Sequence, residues 1–164
     1  MKGTKGCIVL FGGILVGLCL ALLVGLLVVV GGGADERGEE FRLESRLYGT
    51  GELIEISGEE YMEMVGRGES FLVVARMEVC PAEFPVTETV KSFAVKEGVK
   101  IYSLKETEFK KTDLGEKVKY LPSVIVVRDG GIADFLDAEA DEDLGAYKSE
   151  AELLEWLRKV GVEI

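Results

Sequence analysis

The fold of this chain is decided by the stretch Leu121-Pro122-Ser123-Val124-Ile125-Val126-Val127-Arg128-Asp129-Gly130-Gly131. Val124 to Val127 is a continuous apolar run, which is typical of a buried strand. Asp129-Gly130 is a strong signal for a two-residue hairpin turn. We therefore predict a strand that turns at this dipeptide into an antiparallel partner over Ile132–Leu136, with a proline directly before the first strand.

Patterns on either side of this hairpin predict the remaining elements. Strands are expected at Leu53–Ile56, Phe71–Ala75 and Val99–Leu104, and helices after Ser57, after Pro85 and after Ser149. Ser57 and Ser149 are each followed three residues later by Glu, the pattern of a capping box. The order β-α-β-α-β, then a loop, β-β and α implies an α/β fold with a mixed sheet covered by helices on both faces. The acidic run Asp134–Asp143 is interpreted as a loop between the last strand and the last helix.

Composition excludes several functions. The 164 residues carry 30 Asp and Glu against 19 Lys and Arg, a formal net charge of −11, which argues against nucleic acid as a partner. The chain has no His, so the Cys/His and Ser/His catalytic pairs and the commonest metal ligand are missing. We therefore predict neither a metal site nor a cofactor.

The N-terminal segment reads as a membrane anchor. Residues 7–30, from Cys7 to Val30, contain no charge and are long enough to span a hydrocarbon layer of about 30 Å. Lys2 and Lys5 precede the span, which places the N-terminus in the cytoplasm and the domain outside it. The predicted division is 1–6 cytoplasmic, 7–30 transmembrane in the lipid bilayer, 31–50 tether and 51–164 domain. A cleaved signal peptide, with Gly32 and Ala34 before the cleavage point, is the alternative.

The globular part resembles the thioredoxin superfamily from about Leu53 to Val162. The resemblance is most specific at residues 121–131, where thioredoxins place a cis proline before a strand and a Gly-containing hairpin. It implies a cis bond before Pro122, although a trans proline that starts a strand remains the alternative. It also implies that Cys80, 42 residues earlier, is the candidate catalytic residue, and that Pro81, Leu121 and Pro122 are the candidate substrate-binding residues.

The chain departs from the family pattern because Cys80 is its one cysteine after the apolar segment. Pro85 fits Cys80 as the second cysteine of a Cys-x-x-Cys motif, with Met77 at the place of the first. The upstream strand fits Cys80 as the first cysteine instead, and Val74 then occupies the position of a buried proton-relay carboxylate. Either alignment leaves one thiol, so a mixed disulfide would need an outside thiol to resolve it.

Three hypotheses about function follow. The domain is a degenerate thioredoxin-like module that binds or assists thiol-containing envelope proteins, or a monothiol oxidoreductase that uses Cys80, or a part that assembles a larger membrane complex. The partner would be a protein thiol or an extended peptide. A position at a helix N-terminus would favour the reactive thiolate of Cys80. The negative charges of the nearby Glu78 and Glu83 would oppose it.

The span also predicts a homodimer contact through a stripe of small residues, namely Gly13, Gly17, Ala21 and Gly25. We expect Gly17→Leu or Ala21→Leu to abolish crosslinking between copies in membranes, because either side chain would hold the two backbones apart. Unchanged crosslinking would mean that these glycines only reflect the general frequency of glycine in membrane helices.

Overall fold

The computed structural model describes residues 38–77 and 86–164. The predicted span at residues 7–30 and its small-residue stripe lie outside this part. Within it, no helix has both the length and the apolar character that crossing a bilayer requires.

A five-stranded mixed sheet forms the centre of the described part. In chain order the strands are β1 (Phe41–Arg42), β2 (Leu53–Glu55), β3 (Phe71–Arg76), β4 (Ile101–Lys105), β5 (Ser123–Arg128), β6 (Gly131–Phe135) and β7 (Val162–Glu163). The central sheet has the order β2-β4-β3-β5-β6. β2 and β3 run parallel to β4, whereas β5 runs antiparallel to both β3 and β6. The predicted mixed sheet accompanied by helices is confirmed.

Five helices accompany the sheet among the described residues. They are α1 (Gly58–Gly66), α2 (Val86–Glu97), α3 (Glu106–Phe109), α4 (Leu144–Lys148) and α5 (Glu150–Val160), with short 3-10 helices at Ser45–Leu47 and Asp113–Glu116. Ser57 and Glu60 form the predicted capping box at the start of α1. Ser149 caps α5 by accepting a hydrogen bond from the backbone amide of Glu152. α4 was not predicted.

The core lies around β3 and β5, the two innermost antiparallel strands. Every side chain from Phe71 to Ala75 and from Val124 to Val127 is buried. Each large apolar side chain that leaves water in this way contributes roughly 1.5–3 kcal/mol. On one face of the sheet, the ring of Phe71 makes edge-to-face contacts with Tyr61 of α1 and Tyr102 of β4. The buried side chains thus hold both strands in the core, and the ring contacts of Phe71 join β3 to α1 and β4.

The hairpin between β5 and β6 forms at the predicted dipeptide. Asp129 and Gly130 both have positive φ angles, 51° and 75°. A Cβ atom at position 130 would lie 2.4 Å from the carbonyl oxygen of Val65, so this turn needs glycine for its close approach as well as for its backbone conformation.

Part of the segment that was predicted as a tether belongs to the folded unit. Leu43 and Leu47 are buried in the core, and β1 pairs with β7 in a parallel two-stranded sheet. The hydroxyl of Tyr48 donates to the backbone carbonyl of Glu163 at 2.7 Å. The pairing of β1 with β7 could not be predicted from the sequence because each strand has two residues, too few for an alternating pattern. The two strands also lie more than a hundred residues apart in the chain.

The chain enters the folded unit at the carboxyl end of β5. Arg128, the last residue of β5, forms an ion pair with Glu39 at 3.1 Å and stacks over the ring of Phe41 at 4.9 Å. The amide of Phe41 donates to the carbonyl of Gly161. Glu39 and Phe41 are therefore held at the end of the sheet opposite to Ser123, where β5 begins.

A largely buried carboxylate stabilises the same end of the sheet. The side chain of Glu69 accepts hydrogen bonds from Arg67, at 2.8 Å, and from Arg46. Its exposed fraction is 11%, so burial opposes its charge, but the two guanidinium groups outweigh that effect and hold the pKa of Glu69 below its usual value. A carboxyl group with a lowered pKa stabilises the folded state above its usual pKa and loses this contribution as the pH falls.

We expect Glu69→Gln to lower the free energy of unfolding at pH 7 by about 1–2 kcal/mol, because two charge-assisted hydrogen bonds are weakened. The wild type should lose stability as the pH falls below the usual value of 4.5, and the variant should lose less. Denaturant unfolding at several pH values measures both effects. Glu63→Gln is the matched control, since Glu63 contacts the same Arg67 at 3.6 Å but is mostly exposed. Equal losses for the two variants would contradict the role of burial.

Candidate functional site

The pairing of β3 with β5 determines where the candidate site lies. Ala75 of β3 is paired with Ser123 of β5, so Pro122 comes level with the carboxyl end of β3. The Leu121–Pro122 bond is cis, as the family resemblance implied. Pro122 is buried, Leu121 is half-buried and Tyr120 is 45% exposed. We refer to residues 120–122 as the ledge.

Hydrogen bonds to buried oxygens hold the ledge in place. The hydroxyl of Tyr147, in α4, lies 2.9 Å from the carbonyl oxygen of Pro122 and 2.7 Å from that of Leu136. It has one proton, so it donates to one of the two at a time. The hydroxyl of Ser123 donates to the same Leu136 carbonyl at 2.7 Å. Tyr147 thus links residues 122 and 136, and Ser123 links the first residue of β5 to the same carbonyl.

Tyr147 stays protonated in this position. Burial, and after it the charge of Asp143, raises the pKa of Tyr147 far above its ordinary value. Tyr147 was not predicted as a site residue because it lies just after the acidic run, which was interpreted as a loop. The spacing of Leu144 and Tyr147 before the cap residue Ser149 was the one available signal for a short helix.

The backbone of Leu121 has no partner among the described residues. No hydrogen bond among residues 38–77 and 86–164 uses its amide or its carbonyl. An unused donor and an unused acceptor on one residue are the groups through which an extended strand pairs with another chain.

Among the described residues, the core next to the ledge contains no carboxylate. Val74, at the position where the family resemblance implied a relay carboxylate, is fully buried. It pairs with Ser103 of β4 and Val124 of β5. The buried polar and charged residues in the described part are Glu69, Ser70, Ser103 and Ser123, and Glu69 lies before β3, at its other end.

Three charged side chains meet at the carboxyl ends of β2, β3 and β4. Arg76 donates to Glu55 at 2.7 Å and to the hydroxyl of Ser103 at 3.0 Å, and Lys105 contacts Glu55 at 2.6 Å. The hydrogen bond from Lys105, followed by the effect of Arg76, lowers the pKa of Glu55. The two cations are thus already partnered by a carboxylate of the same domain.

Two of the four predicted site residues fall within the described part. Leu121 and Pro122 form the ledge, whereas Cys80 and Pro81 lie outside the described residues. Met77, the last described residue before them, is half-buried at the end of β3. Among the described side chains, no group of three His, Cys, Asp or Glu is arranged to hold a metal ion.

We expect Tyr147→Phe to lower the free energy of unfolding by about 1–2 kcal/mol, because the buried carbonyl of Pro122 loses its donor. Amide exchange around residues 121–124 should become faster. Tyr61→Phe is the matched control, since Tyr61 is equally buried but its hydroxyl makes no hydrogen bond with the described residues; its effect should stay within about 0.5 kcal/mol. Similar effects of the two substitutions would show that the Tyr147 hydroxyl does not hold the ledge.

Comparison with known proteins found matches among solved structures. No protein-family model matches the sequence, and no curated protein matches it. "A putative oxidoreductase with a thioredoxin fold" is 15% identical and aligns over 64% of this chain and 93% of its own, with a TM-score of 0.49. A mutant thioredoxin from Halobacterium salinarum is 14% identical over 70% of this chain and 94% of its own, with a TM-score of 0.48. Thioredoxin from Aeropyrum pernix is 17% identical over 64% of this chain and 84% of its own, with a TM-score of 0.45.

Proposed function

From the thioredoxin-like fold of residues 38–77 and 86–164, we propose that this chain is a membrane-anchored, extracytoplasmic module that binds extended segments of thiol-containing envelope proteins at the ledge. The unused backbone groups of Leu121, beside the carboxyl end of β3, carry this proposal. The uncharged run of residues 7–30 supports the anchor, and the lysines before it support the orientation.

Two observations favour binding over two-cysteine catalysis. The sequence has three cysteines, and two of them, Cys7 and Cys19, lie in the predicted span. Cys80 is therefore the only cysteine of the predicted domain. A thioredoxin-type cycle needs a neighbouring thiolate to release the product from the mixed disulfide. In addition, the buried position at Val74 carries no carboxylate to accept or supply a proton. The chain thus keeps the binding surface of the fold without the parts that drive turnover.

The alternative function is a monothiol oxidoreductase that uses Cys80. Its thiolate would attack a disulfide of the partner, so that one sulfur forms a mixed disulfide with Cys80 and the other leaves as a thiolate. A low-molecular-weight thiol would then attack the sulfur of Cys80 and release the reduced partner, and a second such thiol would regenerate Cys80 and leave as the disulfide of the small thiol. The lone Cys80, between the end of β3 and the start of α2, is the observation that favours this alternative.

Cys80→Ser distinguishes the two functions. We expect wild type and variant, as full chains in detergent, to bind a neutral extended peptide equally, and neither to accelerate the reduction of a peptide disulfide by glutathione. We also expect the pKa of the Cys80 thiol, from pH-dependent alkylation, to lie near the ordinary value of about 8.5.

Cys19→Ser is the control, because it removes a thiol from the predicted span alone. A glutathione-dependent rate that is present in wild type and Cys19→Ser, but absent from a Cys80→Ser variant that still binds peptide, would establish the monothiol enzyme. Absence of peptide binding from all three chains would contradict the binding module.

A further inference from the structure

An acidic segment leaves the sheet directly beside the ledge. The amide of Leu136 donates to Val124, and its carbonyl is shared by Ser123 and Tyr147. The next residue, Asp137, begins a stretch to Asp143 that we call the acidic loop. The amide of Asp137 donates to the carboxylate of Asp143 at 2.7 Å, which closes the loop on itself. The contacts that fix the ledge therefore also fix the acidic loop next to it.

The acidic loop concentrates negative charge without internal neutralisation. Between Arg128 and Lys148 the sequence contains no Lys or Arg, and the loop itself carries five carboxylates: Asp137, Glu139, Asp141, Glu142 and Asp143. None of these five forms an ion pair with another described residue. Elsewhere on the described surface some carboxylates, such as Glu55 and Glu106, contact a cation, and others, such as Glu40 and Glu97, do not. The acidic loop is distinguished by its density of charge, with five carboxylates in seven residues.

The carboxylates of the loop repel one another. Burial, and then the charges of Asp134, Glu142 and Asp137, raise the pKa of Asp143. Like charges held together in this way oppose folding unless a positive group approaches them. The lysine nearest to the ledge in sequence, Lys119, donates to the carbonyl of Gly115 instead.

The hydrogen bonds of Tyr147 place the acidic loop beside the ledge. Its hydroxyl reaches the carbonyl oxygens of both Pro122 and Leu136, and Asp137 follows Leu136 directly in the sequence. The charge of Glu139 raises the pKa of the exposed Tyr120 hydroxyl, which agrees with this placement. The carboxylates of the loop therefore lie close to the ledge.

We infer that the ledge selects a positively charged extended segment, rich in Lys or Arg, of its partner protein. This inference rests on the proposed binding function and adds the chemical class of the partner. The backbone of Leu121 pairs with the segment, and the acidic loop attracts its cationic side chains. Charge complementarity of this kind gives specificity and a faster association more than it gives raw affinity.

The test measures the binding of three synthetic ten-residue peptides to the full-length chain by fluorescence anisotropy. One peptide alternates valine with lysine, one alternates valine with glutamate, and one alternates valine with serine. The loop variant combines Asp137→Asn, Glu139→Gln and Glu142→Gln. The control variant combines Glu40→Gln, Glu97→Gln and Asp129→Asn, which removes the same charge at the opposite end of the sheet.

We expect the lysine peptide to bind the wild type most tightly, to bind the loop variant about tenfold more weakly, and to bind the control variant within about twofold of the wild type. Raised salt should reduce the preference for the lysine peptide. Equal binding of the lysine and serine peptides, or equal weakening in both variants, would overturn the charge selection while leaving the ledge as a binding site. Failure of all three peptides to bind would overturn the ledge itself.

Discussion

The antiparallel pairing of β3 with β5 is the constraint on which the rest of the molecule depends. Both strands are buried along their length, and their register sets Ser123 opposite Ala75. Both faces of each strand are buried, so the register depends on the fit of individual side chains, such as the ring of Phe71 against those of Tyr61 and Tyr102. The core therefore fixes the register, and the register alone brings Pro122 level with the end of β3. Apolar packing therefore sets the position of the ledge, and the hydrogen bonds of Ser123 and Tyr147 then hold it there.

The parts of the fold that the sequence predicted are those with local signals. The apolar runs of β3 and β5, the Asp129-Gly130 turn and the Ser57–Glu60 cap each depend on neighbouring residues. By contrast, β1 and β7 were missed because their pairing is distant and each is very short. The ledge was predicted from a family resemblance, whereas its support by Tyr147 was not, since α4 has five residues and follows an acidic run that suggests a loop. Short elements of this kind are stabilised by tertiary packing, and periodicity cannot identify them.

In the described part of the chain, carboxylates are paired with cations at both ends of the sheet, whereas those of the acidic loop are not. At the end where the chain enters, Glu39 contacts Arg128, and Glu69 is held between Arg46 and Arg67. These pairs neutralise the carboxylates within the domain and stabilise it. At the other end, the acidic loop beside the ledge has no such partners among the described residues. A domain can tolerate this repulsion because its core is large and apolar, and the unneutralised charge then remains available for interactions outside the domain.

The contacts that hold the ledge use no thiol and no buried carboxylate. The β3–β5 register, the hydroxyl of Ser123 and the hydroxyl of Tyr147 hold it. Val74 is fully buried between Ser103 and Val124, so this part of the core carries no buried charge that would need a partner. The described core contains no cysteine either. The shape of the ledge therefore follows from apolar packing and hydroxyl hydrogen bonds, and it does not depend on thiol chemistry.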